Sequence, residues 1–215
     1  MKSPFKSSVF QCALFTIFCF SLSVFAARPF VTDDAGTVVK EKFECEPSVN
    51  YGNNFAITGL TFQHGLTGRA DIEFCLGYCA HPEGEREVTT AGLVFKFGII
   101  PNLLAATLGM TFGETAYGAN LIASKTIGSF SGDVNLGYTT EADTNDADVT
   151  YGLDVVYTIK KLGIGAEIFG TQEMANWQIG LRYAITDWLI IDSAVGTTFE
   201  PSPSLTATTG AWVTF

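Results

Sequence analysis

Beyond its first 26 residues the sequence holds no apolar run near the roughly 20 residues a membrane-spanning helix requires. Basic residues are scarce, with 12 Lys and Arg against 22 Asp and Glu and a net charge of −10. Nucleic-acid backbones are bound through clustered Lys and Arg, so a nucleic-acid partner is excluded. Histidine is rarer still. His64 and His81 form no ligand cluster with the cysteines, and neither a metal nor another cofactor is expected. Of five cysteines, Cys12 and Cys19 lie in the apolar leader, leaving Cys45, Cys75 and Cys79. Three cannot all pair within one chain. Residues four apart in a strand are separated by about 13 Å, so Cys75 and Cys79 join only if the chain turns sharply near Tyr78.

What is present begins with a leader. Lys2 and Lys6 precede the apolar run Ala13 to Phe25, and Val24-Phe25-Ala26 carries compact residues at the −3 and −1 positions of a cleavage site. Residues 1–26 are therefore expected to be a cleaved signal peptide, with the mature chain starting at Ala27. The rest is nearly half apolar, rich in glycine, and only 16% of the whole sequence is charged. That is apolar for a soluble exported protein and polar for a helical membrane protein. Strands with one apolar and one polar face would produce this balance.

The periodicity agrees. From Ala70 to Tyr78, Ala70, Ile72, Phe74, Leu76 and Tyr78 alternate with Asp71, Glu73, Cys75 and Gly77. Successive strand side chains point to opposite faces, so one face is apolar and the other carries two carboxylates. Phe130 to Tyr138, Val149 to Ile159 and Ala175 to Ile185 repeat the pattern. Weaker alternation marks about 42–51, 54–63, 87–97, 103–112, 116–126, 161–170, 188–197 and 205–215. The expected fold is all-β, a closed antiparallel transmembrane β-barrel of about 12 strands over residues 41–215.

The connections support it. Short ones fall at His64 to Gly68, Gly98 to Asn102, Ile127 to Ser129, Lys160-Lys161 and Thr186-Asp187. The phrases HGLTGRADIE, YTIKKLGIGAE and YAITDWLIID recur there as a hairpin repeat with a period of about 26 to 33 residues. Longer, more acidic connections are CAHPEGERE, TEADTNDAD and TFEPSPS. Short turns facing the periplasm and longer loops facing outward make the first strand rise from the periplasmic side. The run Asp143 to Asp148 lacks the glycine and distal Glu of an EF-hand and is expected to be a solvated outer loop. The final strand ends on Phe215, with Ala211 and Val213 on the same face. Closing it against the first strand removes the edge that lipid cannot hydrate. A terminal aromatic also resembles the assembly signal read by the barrel-assembly machinery.

Arg28 to Val38, RPFVTDDAGTV, together with GLTGRADIE, YAITDWLIID and the terminal aromatic, resembles a family of outer-membrane transporters labelled as the meta-pathway of phenol degradation. The resemblance implies a barrel and an import role. Members often begin with KGxFELE where this chain has KEKFECEPSV, and Pro47 removes a ladder hydrogen bond, so a bulge or irregular first strand is expected.

If the apolar faces meet lipid, the lumen is lined by Glu44, Glu46, Asp71, Glu73, Asp133, Asp154, Glu167 and Asp192, with Lys96 and Arg182 as the main bases. Such a lumen would favour cations, as acidic rings do in channels. The alternative is that these carboxylates are solvated, or paired with the two bases, in a packed barrel. Twelve strands give a width between filled eight-stranded cylinders and open porins. Residues 27–40 are a periplasmic segment or a lumen plug, the periplasmic tail being preferred. The expected function is an outer-membrane channel or transporter for small solutes, with outer-membrane lipid and the assembly machinery as partners. A structural surface protein without transport is the alternative, and an outer-membrane lipid-modifying enzyme the remote one, because neither His64 nor His81 faces a serine placed to act as nucleophile.

Overall fold

Alternation in the sequence becomes twelve strands in the computed structural model, which describes residues 29–53, 55–81, 87–112, 115–142, 146–200 and 203–215. Residues 1–28 with the expected leader, the loop at 82–86 and residues 143–145 of the Asp143 to Asp148 run lie outside the described residues. The strands are β1 (Phe43–Gly52), β2 (Phe55–Thr67), β3 (Ala70–His81), β4 (Glu87–Ile100), β5 (Leu104–Phe112) and β6 (Ala116–Ile127). They continue as β7 (Phe130–Glu141), β8 (Ala147–Ile159), β9 (Leu162–Thr171), β10 (Ala175–Ala184), β11 (Leu189–Thr198) and β12 (Thr206–Thr214). Each pairs antiparallel with its neighbours in the chain, and β12 pairs with β1 to close the barrel. At the seam Phe43 and Phe215 exchange both backbone hydrogen bonds at 2.9 Å, and their rings stack 5.9 Å apart. Closure leaves no free edge, which a lipid-facing sheet requires.

Pro47 acts differently from the bulge expected of it. Glu44 pairs with Thr214 and Ser48 with Gly210, so the β1–β12 register is the same on both sides of the proline. Against β2 the pairing runs unbroken from Phe43–His64 to Gly52–Phe55. The missing N–H interrupts one side of the ladder without shifting it. Bulges occur instead at Ala56/Ile57 and Gly65/Thr67 of β2, Gly77/Tyr78 of β3 and Gly98/Ile100 of β4. β2 and β4 also run past their expected ends toward the short turns. On the opposite rim the connections after β1 and β9 are as tight as the turns, so the contrast in length rests on the three acidic loops.

The two faces invert the arrangement of a water-soluble protein. On β7 and β8, Leu136 is 57% exposed, whereas Asp154 is 3% exposed and points inward. Large apolar side chains cover the outside all round. Exposed Tyr51, Tyr117, Tyr138 and Phe112 ring the loop end, while Phe97, Phe130, Tyr157, Tyr183 and Trp188 ring the short-turn end. Paired aromatic girdles flanking an apolar band are what an interface between bilayer and water selects. Among the described residues no helix is long and apolar enough to cross a membrane.

The inside is filled. Residues 29–38 lie within the barrel, not below it, with Pro29, Phe30, Thr32, Asp33, Ala35 and Val38 all buried. The chain leaves β1 through a turn in which Lys42 N–H donates to Val39 C=O at 2.9 Å and Glu41 takes a left-handed φ of 65°. From there it climbs into the lumen, and Ala35 packs with Ala105 of β5 and Ile122 of β6.

Candidate functional site

Inward side chains and the N-terminal segment form a single polar assembly. Val38 N–H donates to Asp71 Oδ2 at 2.9 Å, near the short-turn end of β3. Ala35 N–H donates to Ser124 Oγ at 2.7 Å on β6. At mid-depth Asp33 N–H donates to Asn135 Oδ1 at 2.9 Å, and Asn135 Nδ2 donates back to Asp33 C=O at 2.7 Å. On β9, Glu167 accepts Val31 N–H at 2.7 Å and Thr32 N–H at 2.8 Å, one on each oxygen. Gln178 of β10 donates to Pro29 C=O at 3.1 Å and also to Glu167. β3 and β9 stand six places apart in the ring of twelve, so the segment crosses the full width of the lumen. A segment outside any ladder must satisfy its backbone groups elsewhere, and here the barrel's side chains do so.

The wall is shaped for this. Gly152, Gly165 and Gly180 face inward on β8, β9 and β10. A Cβ at Gly165 would stand 2.6 Å from Phe30 Cζ, one at Gly180 2.7 Å from Pro29 Cγ, and one at Gly152 2.5 Å from Thr32 Oγ1. Any larger residue would collide, so the glycines make the cradle in which Pro29, Phe30 and Thr32 sit.

The ten expected lumen residues fall as follows. Asp133 is paired with Asp154 across β7–β8, Asp154 with Glu167 across β8–β9, and Glu167 with Gln178 across β9–β10, a row of three carboxylates on adjacent strands. Like charges directly opposite repel, and the donors around them offset this. Ser124 Oγ donates to Asp133, the Asp133 backbone N–H donates to Asp154 Oδ1 at 3.2 Å, and Glu167 takes the segment's N–H groups. Asp71 lies opposite Lys96 on β4, and Lys96 Nζ makes a buried ion pair with Asp33 at 2.9 Å. Arg182 lies opposite the buried Asp192 across β10–β11. Glu44 accepts from Trp212 Nε1 at 3.0 Å, and the buried Glu46 from Gln63 Nε2 at 3.4 Å. Glu73 is buried, with one oxygen lacking a hydrogen-bond partner among the described residues.

The sequence reading did not single out Ser124, Gln178 or the three cradle glycines for this assembly. Inward glycines on three adjacent strands were the available signal. Cys45 and Cys75 carry free thiols, and the described residues hold no cluster of His, Cys, Asp and Glu fit for a metal. His64 stacks on Phe43, with ring centroids 4.2 Å apart, and its Nδ1 lies 3.1 Å from Lys42 C=O, at the rim.

No protein-family model matches the chain, and no curated protein matches it. Solved structures do. A KdgM porin is similar over 80% of this chain and 99% of its own, at 12% identity and a TM-score of 0.63. The KdgM porin in complex with disordered oligogalacturonate gives 11% identity and a TM-score of 0.65, with coverage of 80% and 99%. The NanC porin gives 12% and 0.58, covering 80% of this chain and 98% of its own. The fold is thus that of the outer-membrane porins, a closed antiparallel barrel of twelve strands.

Proposed function

We propose that the chain is an outer-membrane channel for small solutes whose lumen prefers cations. The observation that carries this reading is the row Asp133, Asp154 and Glu167, inward on adjacent strands of a closed barrel with an apolar exterior. Inward carboxylates outnumber Lys96 and Arg182 throughout the lumen, and fixed charge of one sign favours the opposite ion. The porin-type fold supports a conduit. Export through a cleaved signal peptide, the periplasmic placement of the short turns and recognition of Phe215 by the assembly machinery belong to the same proposal. The resemblance carried by Arg28 to Val38 adds an import role; phenol is not carried over from that family's label. We assign no enzymatic activity. One observation favours a second reading, a structural barrel without transport: residues 29–38 already cross the lumen.

Planar-bilayer recording of the full chain and of a variant lacking residues 29–38 separates the two. The expected result is a salt-gradient reversal potential with the sign of cation preference, reduced by Asp133→Asn with Asp154→Asn. Absence of current from both proteins would overturn the channel, and a reversal potential of anion sign would overturn the preference.

A further inference from the structure

We propose that the inner wall of β8, β9 and β10 is a binding site for a bent, non-strand peptide segment, and that Pro29 to Val38 is its resident ligand, a tethered gate that can leave. The inference rests on the channel reading and names how that channel is closed.

The site reads backbone. Glu167 takes two successive N–H groups, Val31 and Thr32, as a two-pronged acceptor, and Gln178 donates to the C=O of Pro29. Asn135 on neighbouring β7 exchanges a donor and an acceptor with Asp33. Two successive N–H groups converge on one carboxylate only where the backbone bends, as it does at Val31 and Thr32, so the site reads a bent backbone and not a strand. Side-chain selection is strongest at two places. The facing pair Gly165 and Gly180 leaves room for an aromatic ring on a proline-led turn, and Lys96 demands a carboxylate, supplied by Asp33. The favoured ligand is therefore a peptide that bends after an aromatic residue and carries an acidic one three positions further on.

The attachment is also of a kind that can be released. Among the described residues no strand pairs with residues 29–38, and every contact named above joins a side chain of one partner to the backbone or side chain of the other. Each such bond contributes little net free energy, while ordering the segment costs conformational entropy at every residue. The two oppose each other closely, unlike the ladder that holds the barrel. The turn at Val39 to Lys42, with Glu41 in a left-handed conformation, is the hinge from which the segment would swing toward the short-turn end.

The test is a lock. A Cβ at Gly152 would lie 3.2 Å from Thr32 Cβ, close to the spacing that a disulfide needs. Thr32→Cys with Gly152→Cys, in a background with Cys45, Cys75 and Cys79 replaced by serine, should lose its open events in a planar bilayer when oxidised and regain them on reduction. The variant lacking residues 29–38 should stay open, and a synthetic peptide of residues 28–38 should block it where a scrambled peptide does not. Gly180→Leu, which intrudes on Pro29 and Phe30 without a new cross-link, should raise the open probability of the full chain. Equal current from oxidised and reduced protein, with no block by the peptide, would overturn the gate and leave the channel standing. Silence of the deletion variant would overturn both.

Discussion

Asn135 and Asp33 bind each other as two strands would. The Asn135 amide accepts from Asp33 N–H at 2.9 Å and donates to Asp33 C=O at 2.7 Å, so a side chain of β7 supplies the rung of a ladder that the N-terminal segment lacks. Both backbone groups are satisfied inside the barrel by that one amide.

Asn135→Leu keeps the size and removes both bonds, leaving a buried N–H and C=O unmet at a cost of about 1–3 kcal/mol each. The expected outcome is release of residues 29–38 with the barrel intact. A reactive cysteine placed at Thr32 should be labelled faster in this variant, while heat-modifiable migration on gels stays unchanged. Unchanged labelling would show that Asn135 is not what holds the segment.

The next residue tests the opposite face. Leu136 is outward and exposed, and an arginine at a lipid-facing site near the midplane costs roughly 2–4 kcal/mol. Leu136→Arg should therefore lower the yield of folded protein on refolding into bilayers, whereas Leu136→Val should not. Equal yields would mean that this face does not meet hydrocarbon.

The strands were legible because their information is local. Alternation such as Ala70 to Tyr78 needs only neighbouring residues, and all twelve strands fall where it places them. The inward assignment of Asp71, Glu73, Asp133, Asp154 and Glu167 follows from the same parity of position. The course of residues 29–38 was not legible, since its partners lie far along the chain. Asp33 meets Asn135 across 102 positions, and Pro29 meets Gln178 across 149. Nothing local distinguishes a glycine that cradles Phe30 from one that merely fills a strand. Hydrophilicity near Asp33 and Asp34 likewise reads as a solvated tail until the wall that pairs with it is seen. Pro47 misled for a related reason, because an interrupted ladder keeps its register when the strand on the other side is continuous.

The closing seam gives a third test. Phe215 makes two backbone hydrogen bonds and a ring contact with Phe43 at the end of β1. Deleting Phe215 opens that corner of the barrel, and assembled protein in the outer membrane should fall, with unfolded chain accumulating in the periplasm. Phe215→Tyr keeps the bonds and the ring and should assemble normally. Full assembly of the deletion would remove the seam from the account of biogenesis.

Orientation can be read by labelling. Glu173, between β9 and β10, and Lys160, between β8 and β9, are exposed at opposite ends of the barrel. In a cysteine-free background, Glu173→Cys should react with an impermeant reagent on whole cells, and Lys160→Cys only after the outer membrane is opened. The reverse pattern would invert the barrel.

The placement of residues 29–38 inside the lumen underlies the gate, the cradle and the role of the inner carboxylates. Hydrogen exchange followed by mass spectrometry, on the full chain in lipid nanodiscs, reads it directly. The amides of Val31, Thr32, Asp33, Ala35 and Val38 each donate to a side chain of the wall, and should exchange at least ~100-fold more slowly than in the free peptide of residues 28–38, equivalent to about 2.8 kcal/mol of opening free energy. Glu167→Ala should abolish most of that protection at Val31 and Thr32 while leaving the strands protected. Exchange of the segment at the rate of the free peptide, in a barrel whose strands remain protected, would contradict its place in the lumen.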